Sequence, residues 1–302
     1  MNKRNDFICI GAVHTDYILK LKSNYFKNRT NPIYQEEHIG GVSYNIAKIL
    51  AFLNENIDLY SLNCNTKQKK EINSHGIKFV PLNRKIIERH YTSILDKNGK
   101  MILGLANMDI YEKDYKYQIG KFANLKNKKI ILDLNFSSKL IKNIINTCSK
   151  KNYICVCGTS AHKVYKITNL LNKIDTLILN KQESLTLTNQ KKIKDSLKYL
   201  IKKNKKLNII ITNGKNIVNA YINKTHYASK PPYTIIKNEN GAGDTLSAFF
   251  NYFFFKSIDQ LDSLNKAISA GSLQASGYIN YKKEYLQKLN RLSKSIRYKI
   301  NN

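Results

Sequence analysis

The stretch Gly241-Ala242-Gly243-Asp244, followed by the apolar run 246–255, is the most informative part of this chain. Two glycines one residue apart allow a tight turn that opens directly into a helix. Unpaired backbone N–H groups and the positive end of the helix dipole then meet at one point, which favours anion binding. The aspartate at the edge of this turn has two open interpretations, a functional carboxylate or a residue that only caps the helix.

Net charge is the most unusual bulk property of the sequence. The 302 residues include 51 Lys and Arg against 21 Asp and Glu, a formal charge of +30. This excess suggests nucleic-acid binding, but the basic residues occur in nearly every segment, as at 67–70 and 202–206. We expect no specific nucleic-acid partner, and a steep salt dependence of retention on DNA or RNA would indicate the opposite. The length and the lack of a linker predict one domain over residues 1–302.

The cysteines and histidines do not predict a metal centre or disulfides. Five cysteines are scattered along the chain, and Cys155 and Cys157 alternate on a predicted strand, where both would face one side as buried thiols. The six histidines lack the spacing of metal ligands. No apolar stretch is long enough for a membrane span and no signal peptide is visible. We therefore expect a soluble cytoplasmic protein with no membrane partner.

Strand-like and helix-like segments alternate along the chain. Antiparallel strands are predicted at 217–222 and 233–236, a hairpin around Asn98-Gly99, and helices from 241 to the end. The repeated units predict an α/β fold with a mostly parallel sheet covered by helices on both faces. The predicted strands of this sheet are 7–13, 57–62, 129–134, 153–156, 176–179 and 207–211.

Several polar motifs follow the predicted strands, at the sheet edge where such folds bind ligands. Asp16 comes soon after the first strand and has the chemistry to accept hydrogen bonds from a diol, although a solvated turn is the alternative. The Gly40-Gly41 pair, with Asn45, opens the first long helix and allows close approach of a ligand to the backbone. An ordinary helix start would have the same pattern.

Two further motifs lie later in the chain. Asn180 and Glu183 have the spacing of a helix capping box, and the same pair has the oxygen chemistry to organise water and Mg²⁺ near phosphates. Thr212 and Gly214 end a strand, where a nucleotide has room to pass. The chain lacks the Gly-x-x-x-x-Gly-Lys-Ser/Thr pattern of a Walker-type phosphate loop.

Taken in order, these motifs resemble the PfkB, or ribokinase-like, family of sugar and nucleoside kinases. Members share an early strand followed by Asp, a Gly-Gly…Asn helix start, and then Asn-x-x-Glu, Thr-x-Gly and Gly-Ala-Gly-Asp segments. The resemblance covers about residues 7–280. It implies a three-layer α/β/α sandwich with a mostly parallel central sheet and a small β lid, formed by segments of about 16–40 and 90–110. Because lid strands in this family often pair between subunits, it also implies a homodimer.

Within the family the chain is most similar to pseudouridine kinases. Residues 40–47, Gly-Gly-Val-Ser-Tyr-Asn-Ile-Ala, are similar to their Gly-Gly-Val-x-x-Asn-Ile-Ala, and Thr30-Asn31-Pro32 resembles a Ser/Thr-Asn-Pro sequence of their lid. Segments 92–99 and 107–110 resemble their hairpin and the Asp/Asn-Met sequence after it. The implied reaction is ATP-dependent phosphorylation of the 5′-hydroxyl of pseudouridine. Another nucleoside or a sugar such as ribose remains open as the acceptor, as does a degenerate kinase fold with a nucleic-acid-binding or regulatory role.

The resemblance assigns a role to each motif. Asp244 would take the proton from the hydroxyl as it attacks the γ-phosphorus of ATP, and the N–H groups of Gly241, Ala242 and Gly243 would hold the charge on the transferring group. Glu183 would support Mg²⁺ through water, and a monovalent cation is a further candidate ligand. The implied acceptor-binding residues are Asp16, Asn31, Gly40, Gly41, Asn45, Thr92 and Asn107. The implied nucleotide-binding residues are Asn180, Glu183, Thr212 and Gly214.

The chain departs from the family pattern at four positions. Ile217 stands where the nucleotide loop has its last glycine, unless a loop one residue shorter gives that role to Asn216, which tolerates a positive φ. Tyr44 stands where pseudouridine kinases often have Arg. Cys157-Gly158 replaces the Asp-Pro that often precedes Ser-x-x-Lys, and Glu239 replaces a small or β-branched residue beside the glycine turn.

Overall fold

The computed structural model describes residues 6–113, 117–257, 259–278 and 283–301. In this part of the chain none of the helices combines the length and the apolar character that crossing a bilayer requires. The strands are β1 Asp6–Ile10, β2 His14–Leu21, β3 Ile33–Gly40, β4 Asn56–Ser61, β5 Lys78–Pro81, β6 His90–Leu95, β7 Met101–Asn107, β8 Lys129–Asp133, β9 Tyr153–Cys157, β10 Thr176–Asn180, β11 Asn208–Thr212, β12 Val218–Ile222, β13 Thr225–Lys230 and β14 Arg297–Asn301. The helices are α1 Val42–Phe52, α2 Thr66–Ser74, α3 Gly120–Ala123, α4 Ser138–Cys148, α5 Lys181–Thr188, α6 Ile193–Lys203, α7 Ala242–Phe254, α8 Gln260–Ala275 and α9 Lys283–Lys294.

A large, mostly parallel sheet forms the centre of the fold. Among the described residues its strand order is β14-β13-β12-β11-β10-β9-β8-β1-β4-β5. Pairing is parallel from β11 through to β5 and antiparallel from β11 to β14. Because β strands that alternate with helices return to the same edge, the carboxyl ends of the parallel strands converge there.

The core lies on both faces of this sheet, as the apolar sequence of its strands requires. In β1, Phe7 and Cys9 pack into the cluster on one face, and Ile8 and Ile10 pack into the cluster on the other. Side chains alternate across a strand, so a strand that is apolar at four successive positions, as β1 is from Phe7 to Ile10, is buried between two helical layers. The predicted α/β/α sandwich is therefore confirmed, together with a small second sheet.

The small sheet has the order β3-β2-β6-β7. It is built from the two segments for which the sequence predicted a lid, and β2 joins them by pairing antiparallel with β3 and parallel with β6. The predicted hairpin around Asn98-Gly99 connects β6 to β7, and Gly99 has a φ of 87°.

Two predictions about local structure were wrong. Residues 233–236, predicted as an edge strand, form no strand, and Tyr233 is 93% exposed. The strand that pairs with β12 is instead β13, after a tight turn in which Asn223 and Lys224 have φ values of 48° and 69°. Helices were predicted from residue 241 to the end of the chain, but residues 297–301 form β14 instead. This strand pairs with β13 and extends the sheet.

Candidate active site

The glycine turn before α7 has the backbone geometry that its sequence predicts. Gly241 has a φ of 74°, a conformation that favours glycine, and its carbonyl accepts the Thr245 N–H at 2.9 Å. The Ala242 N–H donates to the Glu239 carbonyl at 3.2 Å. Within the described residues the N–H groups of Gly243 and Asp244 have no backbone acceptor, so the first turn of α7 presents free donors and the positive end of the helix dipole.

The Asp244 carboxylate is held at this helix terminus by a residue from the other end of the sequence. The Asn45 side-chain amide donates to Asp244 Oδ2 at 2.8 Å. Burial raises the pKa of Asp244 to about 7, an effect that the Asn45 hydrogen bond partly offsets and that the charges of Asp133, Glu183 and Asp16 reinforce. A carboxyl group with a pKa near neutrality is poised to exchange a proton at physiological pH.

The two glycines before α1 make room for this arrangement in different ways. A Cβ atom on Gly40 would lie 2.0 Å from Asp16 Oδ2, so glycine leaves space for that carboxylate. A Cβ on Gly41 would lie 2.2 Å from the Ala12 carbonyl oxygen, and the φ of 119° is one that other residues rarely adopt. The Gly41 carbonyl accepts the Asn45 N–H at 2.8 Å and begins the helix.

Sequence reasoning missed His14, which lies next to Asp16 in space. His14 Nε2 is 2.9 Å from Asp16 Oδ1, and the imidazole is 12% exposed. His14 Nδ1 is buried without a hydrogen-bond partner among the described residues. The sequence did contain a signal for His14. Residues 14 and 16 are two positions apart on one strand, so their side chains lie on the same face.

The second residue missed is Asp133, a buried carboxylate at the carboxyl end of β8. Its Oδ2 accepts the Ala12 N–H at 2.8 Å, the Ser43 hydroxyl at 2.9 Å and the Ser43 N–H at 3.2 Å. Its Oδ1 accepts both the backbone and side-chain N–H groups of Asn135. These bonds fasten the end of β1 and the start of α1 to β8, and they compensate the burial of the charge.

The capping box predicted at the start of α5 is present. The Glu183 N–H donates to Asn180 Oδ1 at 2.9 Å, and the Asn180 N–H donates to Glu183 Oε2 at 2.8 Å. Burial raises the pKa of Glu183 above its ordinary value. A Cβ on Gly158 would lie 2.2 Å from Glu183 Oε2, so the glycine that follows Cys157 gives the carboxylate its space.

Two cavities meet at the first turn of α7. The sheet-side cavity, about 510 Å³, lies beside the ends of β10 and β11 and is closed by apolar residues of segment 231–236 and helix α8. The lid-side cavity, about 980 Å³, lies between α1, the small sheet and the glycine turn. Predicted residues on the sheet-side cavity are Asn180, Thr212, Gly214, Ala242 and Gly243. Predicted residues on the lid-side cavity are Asp16, Gly41, Asn45, Gly241 and Asp244.

Three of the predicted residues line neither cavity. Gly40 stands directly behind the Asp16 carboxylate, and Glu183 is buried behind Asn180. Asn31 lies in the loop between β2 and β3, where its side chain accepts the Phe26 N–H and donates to the carbonyls of Phe26 and Arg29. The Asn31 side chain therefore shapes this loop in the structure.

Thr92 and Asn107 lie on the opposite face of the small sheet from the lid-side cavity. The cavity is lined by Tyr91 and Ser93, the two neighbours of Thr92 on β6. Asn107 pairs with His90, which is two residues from Thr92 and shares its face. The sequence motifs suggested an acceptor-binding role for both residues, but the face of the strand on which each residue lies depends on register.

The departures from the family pattern have distinct structural settings. Tyr44 is fully buried, and its hydroxyl donates to Glu71 at 3.0 Å, so it does not reach the lid-side cavity. Asn216 lines the sheet-side cavity without a positive φ, contrary to the expectation for a shortened loop, and Gly214 has the positive φ of 54°. Glu239 also lines the sheet-side cavity.

Comparison with known proteins agrees with this geometry. The pfkB family of carbohydrate kinases matches residues 4–280, and the chain belongs to this family. No curated protein matches the chain significantly. As a member of this family it is a kinase that uses ATP as the phosphoryl donor and an alcohol group as the acceptor.

Solved structures show the same fold at low sequence identity. A carbohydrate kinase from Agrobacterium tumefaciens has a TM-score of 0.81 at 18% identity, covering 98% of this chain and 100% of its own. Arabidopsis thaliana ribokinase complexed with ribose and ATP has a TM-score of 0.74 at 17% identity, covering 95% and 99%. Escherichia coli phosphofructokinase-2 in complex with substrates and products has a TM-score of 0.75 at 11% identity, covering 97% and 99%.

Proposed function

We propose that this kinase transfers the γ-phosphoryl group of ATP to the 5′-hydroxyl of a nucleoside, and that pseudouridine is the acceptor. The observation that carries the reaction is the position of Asp244 on the lid-side cavity, directly after Gly243, which lines the sheet-side cavity, and beside free N–H groups of α7. One cavity would hold the triphosphate and the other the hydroxyl, so that both reactants meet at this turn. The choice of pseudouridine rests on the sequence similarity of residues 40–47.

The chemistry follows from the surroundings of the carboxylate. Asp244 accepts the proton of the acceptor hydroxyl as its oxygen bonds to the γ-phosphorus, and the bond from that phosphorus to the β,γ-bridging oxygen breaks to release ADP. The N–H groups of the glycine turn stabilise the charge that gathers on the transferring group. Asn45 holds Asp244 in place, while Asp16 and His14 bind acceptor hydroxyls.

Mg²⁺ is part of this proposal. Asn180 and Glu183 supply the hard oxygen atoms that Mg²⁺ prefers, and Glu183 is set back from the cavity, which suits contact through water. The described residues include no cluster of three or more potential ligands that would hold a metal by themselves. The phosphate oxygens of the nucleotide would therefore supply the remaining coordination.

Two further parts of the proposal concern the setting of the enzyme. We propose a homodimer formed through the lid strands, because β7 leaves Met101, Ile102, Leu103 and Leu105 between 45% and 49% exposed. We also propose a cytoplasmic location, since all five cysteines are free, buried thiols.

ATP consumption with a panel of acceptors tests the function. The panel contains pseudouridine, uridine, adenosine, ribose and fructose 6-phosphate, and we expect the highest kcat/KM with pseudouridine. Asp244→Asn removes the base and should lower kcat by about 10²–10⁴-fold. Asp195→Asn, which changes an exposed carboxylate on α6, serves as the matched control.

Each part of the proposal has its own contrary result. Turnover that survives Asp244→Asn would reject the assigned base. A preference for ribose would reject the pseudouridine assignment and favour a sugar kinase. If ATP were consumed with none of the five acceptors, the proposed acceptor class would be rejected and the family assignment would be unaffected.

A further inference from the structure

One face of α1 forms a continuous wall of the lid-side cavity. Asn45 is three and four residues before Lys48 and Ile49, and Phe52 is four and three residues after them, so all four share this face. The wall begins at Asn45, which is bonded to Asp244. At a rise of about 1.5 Å per residue, Lys48 lies about 5 Å and Phe52 about 10 Å further along the helix axis. An acceptor that lies along this wall with its hydroxyl at Asp244 would have its far end near Lys48.

Lys48 is the cation at this far end. It is half-buried, and its ammonium group lies 5.6 Å from the centre of the Tyr44 ring. None of the ion pairs found in the described ranges involves Lys48. An ammonium group in a cavity without a carboxylate partner has hydrogen-bond donors available for a ligand.

His75, which follows α2, lines the same end of the cavity. Burial and the nearby Lys48 both lower the pKa of His75, whereas Glu71 opposes this effect. Glu71 accepts the Tyr44 hydroxyl and does not line the cavity. The carboxylates that do line it, Asp16 and Asp244, are at the reacting end, so the cavity is acidic at one end and basic at the other.

We propose that Lys48, with His75 beside it, is a specificity-determining residue that binds an oxygen-rich group at the end of the acceptor away from the transferred phosphoryl group. The inference rests on the proposed kinase function, and it names the chemistry of a part of the acceptor that the family motifs leave undefined. Two sources have this chemistry. One is the carbonyl oxygens of a nucleobase, and the other is a carboxylate or phosphate on a charged sugar.

Three acceptors and three variants separate these sources. Pseudouridine offers carbonyl oxygens, fructose 6-phosphate offers an anion, and ribose offers neither. Lys48→Met should raise KM by about 10- to 100-fold for the acceptor that uses the subsite. It should leave kcat, and the KM for ribose, within about twofold. Lys48→Arg should restore most of the binding, and Lys70→Met, which removes an exposed charge from α2, should change none of these values.

The outcome identifies the source or overturns the inference. A selective loss with pseudouridine identifies a nucleobase carbonyl, and a selective loss with fructose 6-phosphate identifies an anion. Equal changes for all three acceptors, or no change, would overturn the inference. Titration calorimetry of the same compounds without ATP gives the Kd ratio of wild type to Lys48→Met independently of transfer. Failure of wild-type turnover therefore rejects the proposed function, whereas a Kd ratio near one for all three compounds rejects the subsite.

Discussion

At the scale of single residues, the groups around Asp244 determine the pKa of its carboxyl group. Burial separates it from water, and three other carboxylates, Asp16, Asp133 and Glu183, add negative potential. The hydrogen bond from the Asn45 amide works in the opposite direction and lowers the pKa. The raised pKa of Asp244 thus follows first from its burial, and the neighbouring carboxylates add to the effect.

The pH dependence of kcat/KM should show this balance. Asp244 must be ionised to accept a proton, and its pKa is raised to about 7, so kcat/KM should rise through about pH 7 and level off above it. Asn45→Ala removes a hydrogen bond that lowers this pKa, so the rise should move to higher pH. Asn56→Ala, which alters a surface hydrogen bond to Asp6, should leave the profile in place.

Rates measured between pH 4 and 9 check this expectation. A profile that is already flat above pH 5 would mean that the base has the ordinary pKa of an aspartate, about 3.9. A profile unchanged by Asn45→Ala would mean that the Asn45 hydrogen bond does not act on the titrating group.

At the scale of elements, the connection from β3 to α1 brings the acceptor-binding groups together. β2 supplies Asp16, β3 ends at Gly40, and α1 begins after Gly41. Asp133 at the end of β8 then fixes the start of α1 through the Ser43 hydroxyl and N–H. The positions of the acceptor-binding groups therefore depend on the buried carboxylate of Asp133, which joins β8 to the end of β1 and the start of α1.

Gly40→Ala should perturb this connection selectively. The new Cβ would lie 2.0 Å from Asp16 Oδ2, so the Asp16 carboxylate would have to move. The Gly40 backbone has no positive φ, so alanine would not strain the backbone itself. We expect the KM for the acceptor to rise by about tenfold, with the KM for ATP unchanged. Steady-state kinetics with each substrate varied in turn measures both values.

Gly120→Ala is the matched control, since a Cβ at Gly120 has no neighbour within 4 Å. Equal acceptor KM values for Gly40→Ala and wild type would show that the position of Asp16 does not limit acceptor binding. A thermal midpoint close to that of wild type would confirm that any change is local.

At the scale of the whole molecule, the small sheet has two faces with different surroundings. One faces the lid-side cavity through Tyr91 and Ser93. The other presents Leu103 and Leu105, opposite Ile94 and Thr92 in the register of β6 and β7. Such an apolar outer face on an edge hairpin is suited to packing against a second copy of the chain.

If the proposed dimer forms through the outer face of the small sheet, placing charges on that face should lower the molecular mass of the protein in solution. Leu103→Lys and Leu105→Lys together should convert a dimer into a monomer, because two buried ammonium groups oppose the contact. Ile86→Lys, which charges an exposed apolar residue outside the sheet, is the control. Light scattering during gel filtration measures the mass, and a wild-type monomer at tens of micromolar would contradict the proposal.

Much of the fold was predictable because its signals are local. Apolar runs, glycine pairs and helix caps depend on neighbouring residues, so the sequence predicted β1, β4, β8, β9, β10 and β11, the Asn180–Glu183 capping box and the Gly241 turn, but it did not predict β5. The failures were also local in origin. Tyr233 and its neighbours look like a strand but lie exposed beside the sheet-side cavity, and β13 alternates too weakly to be noticed.

The sequence by itself determined the family and six strands of the parallel sheet, and it singled out the residue proposed as the base, because each is a run of residues with its own conformational preference. Only the tertiary structure decided which side chains meet. Asn45 and Asp244 are 199 positions apart, and Asp133 joins partners 90 and 121 positions away. Such contacts, and the face that Thr92 presents, depend on sheet register and packing across the whole molecule, which no short motif encodes.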